Sequence, residues 1–93
     1  MKEELRDLPE FITTVFEPCG CFDEIIALYK PKFTSLVFEH IRKKVNVKRY
    51  IEDLLLKGYY KDFEVTIYSD GKIIVSGVKD KEEGIKILKE LLA

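Results

Sequence analysis

The most unusual short motif in the chain is a pair of cysteines separated by one glycine, Cys19 and Cys21. Two thiolates this close can share a soft metal ion or act as a redox pair, and Glu17, Asp23 or His40 would complete a ligand shell. Structural zinc sites, however, usually space their cysteines by two to four residues, and the sequence holds no second cysteine pair. The alternative is a small apolar residue in a strand-to-helix turn, followed by a thiol near a helix N-terminus. We favour this alternative and expect no bound metal or other cofactor.

His40 is the only histidine, so it is the first candidate for acid–base catalysis. Such a role needs a nucleophile or a carboxylate beside the imidazole, and no pattern in the sequence supplies one. Gly77 and Gly84 lie outside any glycine-rich strand-to-helix loop, so they form no phosphate-binding motif. We therefore expect a structural histidine and a protein that is not an enzyme.

Charge is distributed unevenly along the chain, although the net charge is only −1. Residues 1–29 carry a net charge of −5, residues 30–61 carry +6 and residues 62–93 carry −2. Lysines that contact phosphates beside tyrosines that stack on bases would form a nucleic-acid site. The residues that would form it are Lys43, Lys44, Lys48, Arg49, Tyr59 and Tyr60. The alternative is a solvated surface that pairs with the acidic N-terminal third of its own or a neighbouring chain.

Length and composition predict one small domain. A chain of 93 residues does not divide into halves that each bury a core, and 46% hydrophobic with 35% charged residues is typical of globular proteins. No uncharged run approaches the ~20 residues of a transmembrane helix, and the acidic N-terminus lacks an apolar signal segment. We expect a cytoplasmic protein with no membrane partner, in which residues 1–10 are a flexible or weakly helical lead-in to a domain over 11–93. Abundant Lys and Glu with a single Asn and no Gln are typical of heat-loving organisms.

The hydrophobic pattern of the first 60 residues predicts one strand and two helices. Residues 11–16 are β-branched and aromatic, which favours a strand. Apolar residues at helical spacing predict a short helix over 22–29 and a second helix over 46–57, which Gly58 would end. The pattern of residues 33–41 fits a helix and a strand equally well.

The clearest local signal is Asp70-Gly71 between two β-rich runs, residues 63–69 and 72–78. This arrangement predicts a hairpin with a two-residue type I′ loop, in which both loop residues take positive φ. That register brings four side chains together on one exposed side of the sheet. They are Thr66, Tyr68, Ile73 and Val75.

The hairpin at 63–78 and the helix at 80–92 resemble a half-repeat of the TATA-box-binding protein family. The shared features are an aromatic residue before the turn, Gly-Lys after it, and a Ser-Gly-Val-Lys segment where the family has Thr-Gly-Ala-Lys. The helix then opens with a capping box formed by Asp80 and Glu83. The resemblance implies an antiparallel sheet, favours a strand over 33–41, and makes the helix over 46–57 an insertion.

The resemblance also implies that Phe33 and Tyr68 correspond to the aromatic wedges with which the family kinks DNA. Glu64, however, lies on the same strand face as Tyr68, and a carboxylate repels phosphate. The chain also provides one half where the family has two in tandem, so a complete saddle needs a homodimer or another partner. A role in transcription initiation is therefore not carried over.

These observations predict an α+β fold with helices on one face of an antiparallel sheet, similar to half of a TATA-binding saddle or to a ferredoxin-like sandwich. The expected element order is β-α-β-α-β-β-α. The predicted function is a small non-enzymatic binding module that self-associates as a homodimer or binds a protein partner through an exposed apolar sheet face. The residues expected on that face are Phe33, Thr66, Tyr68, Ile73 and Val75. The alternatives are nucleic-acid binding through the basic cluster at 42–49, and metal or redox use of Cys19 and Cys21.

Overall fold

Six short strands and two helices make up the described part of the chain. A computed structural model describes residues 9–18 and 23–92. The elements, in chain order, are β1 (Ile12–Phe16), β2 (Glu24–Tyr29), a 3-10 turn (Pro31–Phe33), α1 (Thr34–Arg42), β3 (Asn46–Ile51), β4 (Leu55–Tyr60), β5 (Phe63–Tyr68), β6 (Lys72–Ser76) and α2 (Lys81–Leu92). The α+β class is confirmed, but the expected element order was wrong, because the described chain runs β-β-α-β-β-β-β-α.

The described strands form one sheet in the order β1-β2-β6-β5-β4-β3, and every neighbouring pair is antiparallel. Both helices pack on the same face of this sheet and share one hydrophobic core with it. Ile73 and Val75 from β6 contribute to that core, as do Ile41 of α1 and Leu88 of α2, each with no exposed surface. The core is therefore a single layer between the sheet and the helices.

The predicted strand at 11–16 is confirmed, but the predicted helix at 22–29 is wrong, since residues 24–29 form β2. The buried side chains of β2 are Ile25, Ala27 and Tyr29, which alternate with half-buried ones. Alternation is the two-residue period of a strand that packs one face on a core. An apolar run this short also fits helical spacing, so only the pairing of β2 between β1 and β6 decides the outcome.

Residues 34–42 form α1, so the expected strand over 33–41 is wrong. Val37, Phe38 and Ile41 are buried at helical spacing against the sheet. Phe33, expected on the exposed sheet face, lies just before α1 instead. Its half-buried ring stacks on Phe11 with the ring centres 5.4 Å apart.

The predicted helix over 46–57 is also wrong, because these residues form most of the β3–β4 hairpin. Gly58, predicted to end the helix, lies inside β4, where an added Cβ would come 2.7 Å from the Asn46 backbone oxygen. Three apolar residues at helical spacing, Val47, Tyr50 and Leu54, are 40–51% exposed, which a buried helix face would not be. No inserted helix is present in this part of the chain.

The β5–β6 hairpin is confirmed, but its loop differs from the prediction. Tyr68 pairs with Lys72, so the loop contains three residues, and only Gly71 has positive φ, at 109°. The Gly71 N–H donates to the Tyr68 carbonyl at 3.2 Å. This is the three-residue loop in which a turn is followed by a left-handed glycine, and the type I′ prediction was wrong.

The changed loop length shifts the hairpin register by one residue, which moves side chains to the other face of the sheet. Val75 pairs with Val65 and Ile73 pairs with Ile67, and all four side chains lie in the core. Ile73 and Val75 are therefore not part of an exposed face.

The predicted C-terminal helix is confirmed as α2. The Asp80 carboxylate accepts the Glu83 N–H at 2.8 Å, as an N-cap does, and the Glu83 carboxylate accepts the Lys79 N–H at 2.9 Å. Gly84 then lets α2 approach β2 closely, since an added Cβ would lie 2.4 Å from Cδ1 of Ile25.

Candidate binding face of the sheet

One face of the sheet packs on α1 and α2. Neither of these helices covers the opposite face of the sheet in the described ranges. We call this second face the open face. Its side chains alternate with the core side chains along each strand. Its members are Thr14, Phe16, Glu24, Ile26 and Leu28 on β1 and β2, Lys72, Ile74 and Ser76 on β6, Glu64, Thr66 and Tyr68 on β5, and Leu55, Lys57, Tyr59, Asn46, Arg49 and Ile51 on β4 and β3. The Lys48 ammonium, from the irregular step in β3, reaches this face beside Tyr59.

The half of the open face on β1, β2 and β6 holds four apolar side chains, and its charged groups are Glu24 on β2 and Lys72 on β6. Ile26 lies between Phe16 on one neighbouring strand and Ile74 on the other, which makes an apolar row across three strands. Phe16 is 39% exposed. The charged group on β2 is Glu24, whose carboxylate accepts a hydrogen bond from the Ser76 hydroxyl at 3.1 Å.

The half on β3, β4 and β5 is mainly basic and aromatic. Arg49 lies directly across from Lys57, and the Lys57 ammonium is 3.5 Å from the Glu64 carboxylate. The Lys48 ammonium lies 5.5 Å from the centre of the Tyr59 ring and 3.4 Å from its hydroxyl. A cation held over an aromatic face is attracted by the electrons of the ring.

Of the residues predicted for the exposed sheet face, Thr66 and Tyr68 lie on it. Their neighbours on β6 are Ile74 and Lys72, and the Lys72 ammonium is 6.0 Å from the Tyr68 ring centre. Phe33, Ile73 and Val75 lie elsewhere, as described above. The members on β2, β3 and β4 were missed because the helices assigned over 22–29 and 46–57 hid their alternation. Ile74 and its neighbours on β6 were missed because the predicted hairpin register placed them on the other face.

The structure divides the residues predicted to bind nucleic acid. Lys48, Arg49 and Tyr59 lie together on the basic half of the open face, and Lys43 is exposed at the end of α1. Lys44 and Tyr60 are on the helix side, where both bond to Glu90 of α2. The six predicted residues therefore do not form one site.

Glu90 connects the end of α2 to the β4–β5 turn. Its carboxylate accepts the Tyr60 hydroxyl at 2.5 Å and the Lys61 ammonium at 2.9 Å. The hydrogen bond from Tyr60, followed by that from Lys61, lowers the pKa of Glu90, and the same bonds raise the pKa of Tyr60 and of Lys61. These groups stabilise the fold on the side away from the open face.

Cys19 and Cys21 lie outside the described residues. His40 is half-buried on α1, with Nδ1 3.2 Å from the Leu36 carbonyl oxygen. Within residues 9–18 and 23–92, no three histidine, cysteine or acidic side chains gather closely enough to hold a metal ion. The metal hypothesis therefore remains a prediction about the cysteine pair.

A shallow cleft of about 180 Å³ lies on the helix side, between α1 and the β3–β4 turn. The Arg42 guanidinium carbon is 5.5 Å from the Tyr50 ring centre there, and Phe38 meets the same ring edge-on at 6.2 Å. The protein's own cation thus occupies the aromatic face of the cleft. Its described lining holds the hydroxyls of Thr34 and Ser35 and the carboxylates of Glu39, Glu52 and Asp53.

Comparisons with protein families, with curated proteins and with solved structures found no match to this chain. Neither described helix has the length and apolar composition needed to cross a bilayer. Function must therefore be argued from the open face itself.

Proposed function

We propose that this protein is a small non-enzymatic binding module whose open face docks a protein surface. The observation that carries the proposal is the apolar row Phe16, Ile26 and Ile74 on a sheet face that the described helices leave uncovered. Soluble proteins rarely expose a contiguous apolar patch of this kind without a partner. The apolar row with charged residues on either side also resembles the general plan of protein interfaces, an apolar centre with a polar rim.

The proposed function is the one predicted from the sequence, but different residues form the binding surface. The predicted face relied on Ile73 and Val75, and their places are taken by Ile74 and by residues of β1 and β2. The resemblance to a TATA-binding half-repeat remains a prediction. It is supported by the confirmed hairpin and last helix, and the helix that would have been an insertion is replaced by two strands.

Site-specific photo-crosslinking tests the docking function. A photoreactive phenylalanine analogue replaces Thr66 at the centre of the open face, and in the control it replaces Lys86, which is exposed on α2. Irradiation of extracts from the protein's own source cells is expected to yield a discrete protein adduct from position 66 and none from position 86. The absence of an adduct from position 66, or equal adducts from both positions, would overturn the proposal.

Nucleic-acid binding is the second candidate, and the cluster of Lys48, Arg49 and Tyr59 favours it. Aromatic rings beside cations on a sheet can stack on bases and contact phosphates. Glu64 weakens this candidate, because it faces Tyr59 directly across the strand pair and carries a charge that repels phosphate. Protein docking is therefore compatible with more of the side chains on the open face than nucleic-acid binding is.

A further inference from the structure

The sheet of the described residues has a free edge at β3, which pairs with β4 on one side and with no strand on the other. Alternate N–H and C=O groups of an outermost strand point away from its neighbour, and they can bond to an added strand. Outside the sheet, the described backbone hydrogen bonds to β3 are limited to one, from the Leu54 N–H to the Ile51 carbonyl at the turn. We call the free side of residues 46–51 the β3 edge.

Exposed apolar side chains are concentrated beside this edge. Of the six large apolar or aromatic side chains that are exposed in the described chain, four lie on the β3–β4 hairpin, namely Val47, Tyr50, Leu54 and Tyr59. Val47 and Tyr50 belong to β3 itself, and the Tyr50 ring lies on the helix side, where it contacts Phe38. An edge that only resists pairing is blunted with charge, so exposed apolar residues on β3 indicate a binding surface.

Arg49 has no carboxylate partner at the β3 edge. It lies directly across from Lys57 on the open face, and like charges directly opposite each other destabilise a strand pair. Lys57 has the Glu64 carboxylate 3.5 Å away on its other side, whereas no described carboxylate lies within ion-pair distance of Arg49. The remaining cross-strand position beside Arg49 is on the free side of β3. A carboxylate at that position would form the attractive pair that the described sheet does not provide.

We infer that the β3 edge binds an extended segment of a partner protein, which adds to the sheet as a further antiparallel strand and places an aspartate or glutamate opposite Arg49. Every neighbouring strand pair in the described sheet is antiparallel, and such pairing is slightly more stable per residue than parallel pairing. In this mode of recognition, backbone hydrogen bonds supply affinity and alternate side chains supply specificity. The inference uses the edge of the sheet and does not depend on docking at the open face.

The side chains of β3 define the sequence that the added strand should have. Opposite Tyr50, on the helix side, we expect an apolar residue, because an apolar cross-strand partner covers an aromatic ring. Opposite Arg49, on the open side, we expect the acidic residue. The Lys48 ammonium also reaches the open side, so it adds to the positive charge there.

The carboxylates of the protein near this edge confirm the side on which an acidic partner residue fits. They line the cleft on the helix side and in the β3–β4 turn, and they are Glu39, Glu52 and Asp53. A partner carboxylate on the helix side would meet these like charges, whereas one on the open side meets Arg49. Charge therefore favours an acidic residue on the open side of the added strand and an uncharged one on the helix side.

A display library of random peptides of ~9 residues, screened against the purified full chain, tests the inference without a known partner. Peptides enriched on the wild-type protein are expected to share an acidic residue next to an apolar or aromatic one. Fluorescence anisotropy with the best synthetic peptide should show that Arg49→Glu raises the dissociation constant about 10-fold. Changing the acidic residue of the peptide to lysine should do the same on wild type. Combining the two changes should restore the affinity to within about threefold of the original.

Two further measurements separate the β3 edge from other surfaces. Lys86→Glu makes a matched charge change at an exposed position of α2 and should leave the dissociation constant unchanged, and circular dichroism checks that both variants are folded. N-methylation of alternate peptide amides tests the strand geometry, because only one of the two alternating sets of amides faces β3. Methylation of one set should abolish binding, and methylation of the other set should not.

A screen that enriches no peptide, an enriched set without acidic residues, or a dissociation constant that Arg49→Glu leaves unchanged overturns the inference. Equal effects of the two methylated sets overturn it as well, because the peptide would then not lie as a strand. If the chain binds no peptide but binds labelled single-stranded DNA through Arg49, the edge cations serve nucleic acid instead. The crosslink from position 66 tests docking at the open face separately, so either idea can fail while the other stands.

Discussion

The carboxylate of Glu90 shows how much a single residue contributes to joining separate elements. It accepts hydrogen bonds from Tyr60 and Lys61, two adjacent residues at the β4–β5 turn. The sequence places Tyr60 and Glu90 thirty residues apart and has no local pattern that pairs them. Such a contact depends on the fold as a whole, so it could not be predicted before the sheet order was known.

Removing this carboxylate should make the free energy of unfolding depend less on pH in the acid range. The lowered pKa of Glu90 means that its contribution to the free energy of unfolding is fully present above the unfolded pKa, near 4.5, and is lost as pH falls through the folded pKa. At neutral pH, Glu90→Gln should lower the free energy of unfolding by about 1 kcal/mol, since a charge-assisted hydrogen bond is lost. Urea unfolding at several pH values should show this difference shrinking below pH 4.5.

Glu39→Gln is the control for that experiment, because Glu39 is exposed on α1. The difference between this variant and wild type should stay small at every pH. A Glu90→Gln difference that is equally large in acid would show that packing, and not the charge, is what Glu90 contributes.

At the scale of the elements, local signals predicted some segments correctly. They failed where the apolar residues fit both the two-residue period of a strand and the 3.6-residue period of a helix. The hairpin at 63–76 and α2 carry turn and cap residues with specific geometry, and both are confirmed. Residues 24–29 form a short apolar run, and residues 46–57 place apolar side chains among charged ones, in both cases at a spacing that also fits a helix. Their strand structure comes from pairing with residues distant in the chain, which periodicity does not reveal.

The length of the hairpin loop determines which side chains of β6 lie on the open face. Asp70-Gly71 correctly indicates a turn, but both the two-residue and the three-residue loop use a glycine with positive φ. One extra loop residue exchanges the two faces of the strand. The open face was therefore predicted to exist, but two of its five predicted members, Ile73 and Val75, lie in the core.

The close contact between α2 and β2 gives a prediction at this scale. Gly84→Ala should lower the free energy of unfolding by ~1–3 kcal/mol through overpacking, although alanine favours a helix by about 1 kcal/mol. The reason is that the new Cβ would lie 2.4–2.8 Å from three atoms of Ile25. Thermal and urea unfolding measure the change, and Lys86→Ala, at an exposed position of α2, should leave stability nearly unchanged.

A double-mutant cycle with Ile25→Ala separates this contact from other effects. Once those Ile25 atoms are absent, Gly84→Ala should cost less than in the wild-type background. If Gly84→Ala instead increases stability in the wild-type background, α2 does not approach β2 as closely as described.

On the scale of the whole molecule, the sheet gathers positive charge at one side of the open face. The basic middle third of the chain supplies Arg49 and Lys57 on β3 and β4, whereas the acidic N-terminal third supplies only Glu24 on β1 and β2. The sequence predicted the charge segments and a pairing between them. It could not predict which edges of the sheet they occupy, because that depends on the strand order.

This arrangement of charge limits nucleic-acid binding. Only Lys48, Arg49 and Lys57 are clustered on the basic half of the described open face, because Lys44 and Tyr60 are held by α2. About three phosphate contacts to a single strand predict that affinity falls no more than ~20-fold between about 50 and 200 mM salt. Fluorescence anisotropy with labelled single-stranded DNA measures this slope. A loss near 10³-fold would indicate about six contacts or more and would favour the nucleic-acid function.

β3 is the outermost strand on the basic side of the described sheet, and five of its six residues are exposed. Its outer backbone groups form a template on which a strand from an unfolded molecule can add, the first step of fibrous aggregation. Mutual repulsion between the cations at Lys48 and Arg49 of approaching molecules opposes that step. Salt shortens the range of this repulsion from ~10 Å at 0.1 M to ~3 Å at 1 M. Concentrated salt, a common choice for storing proteins, is therefore the condition under which this one should lose solubility first.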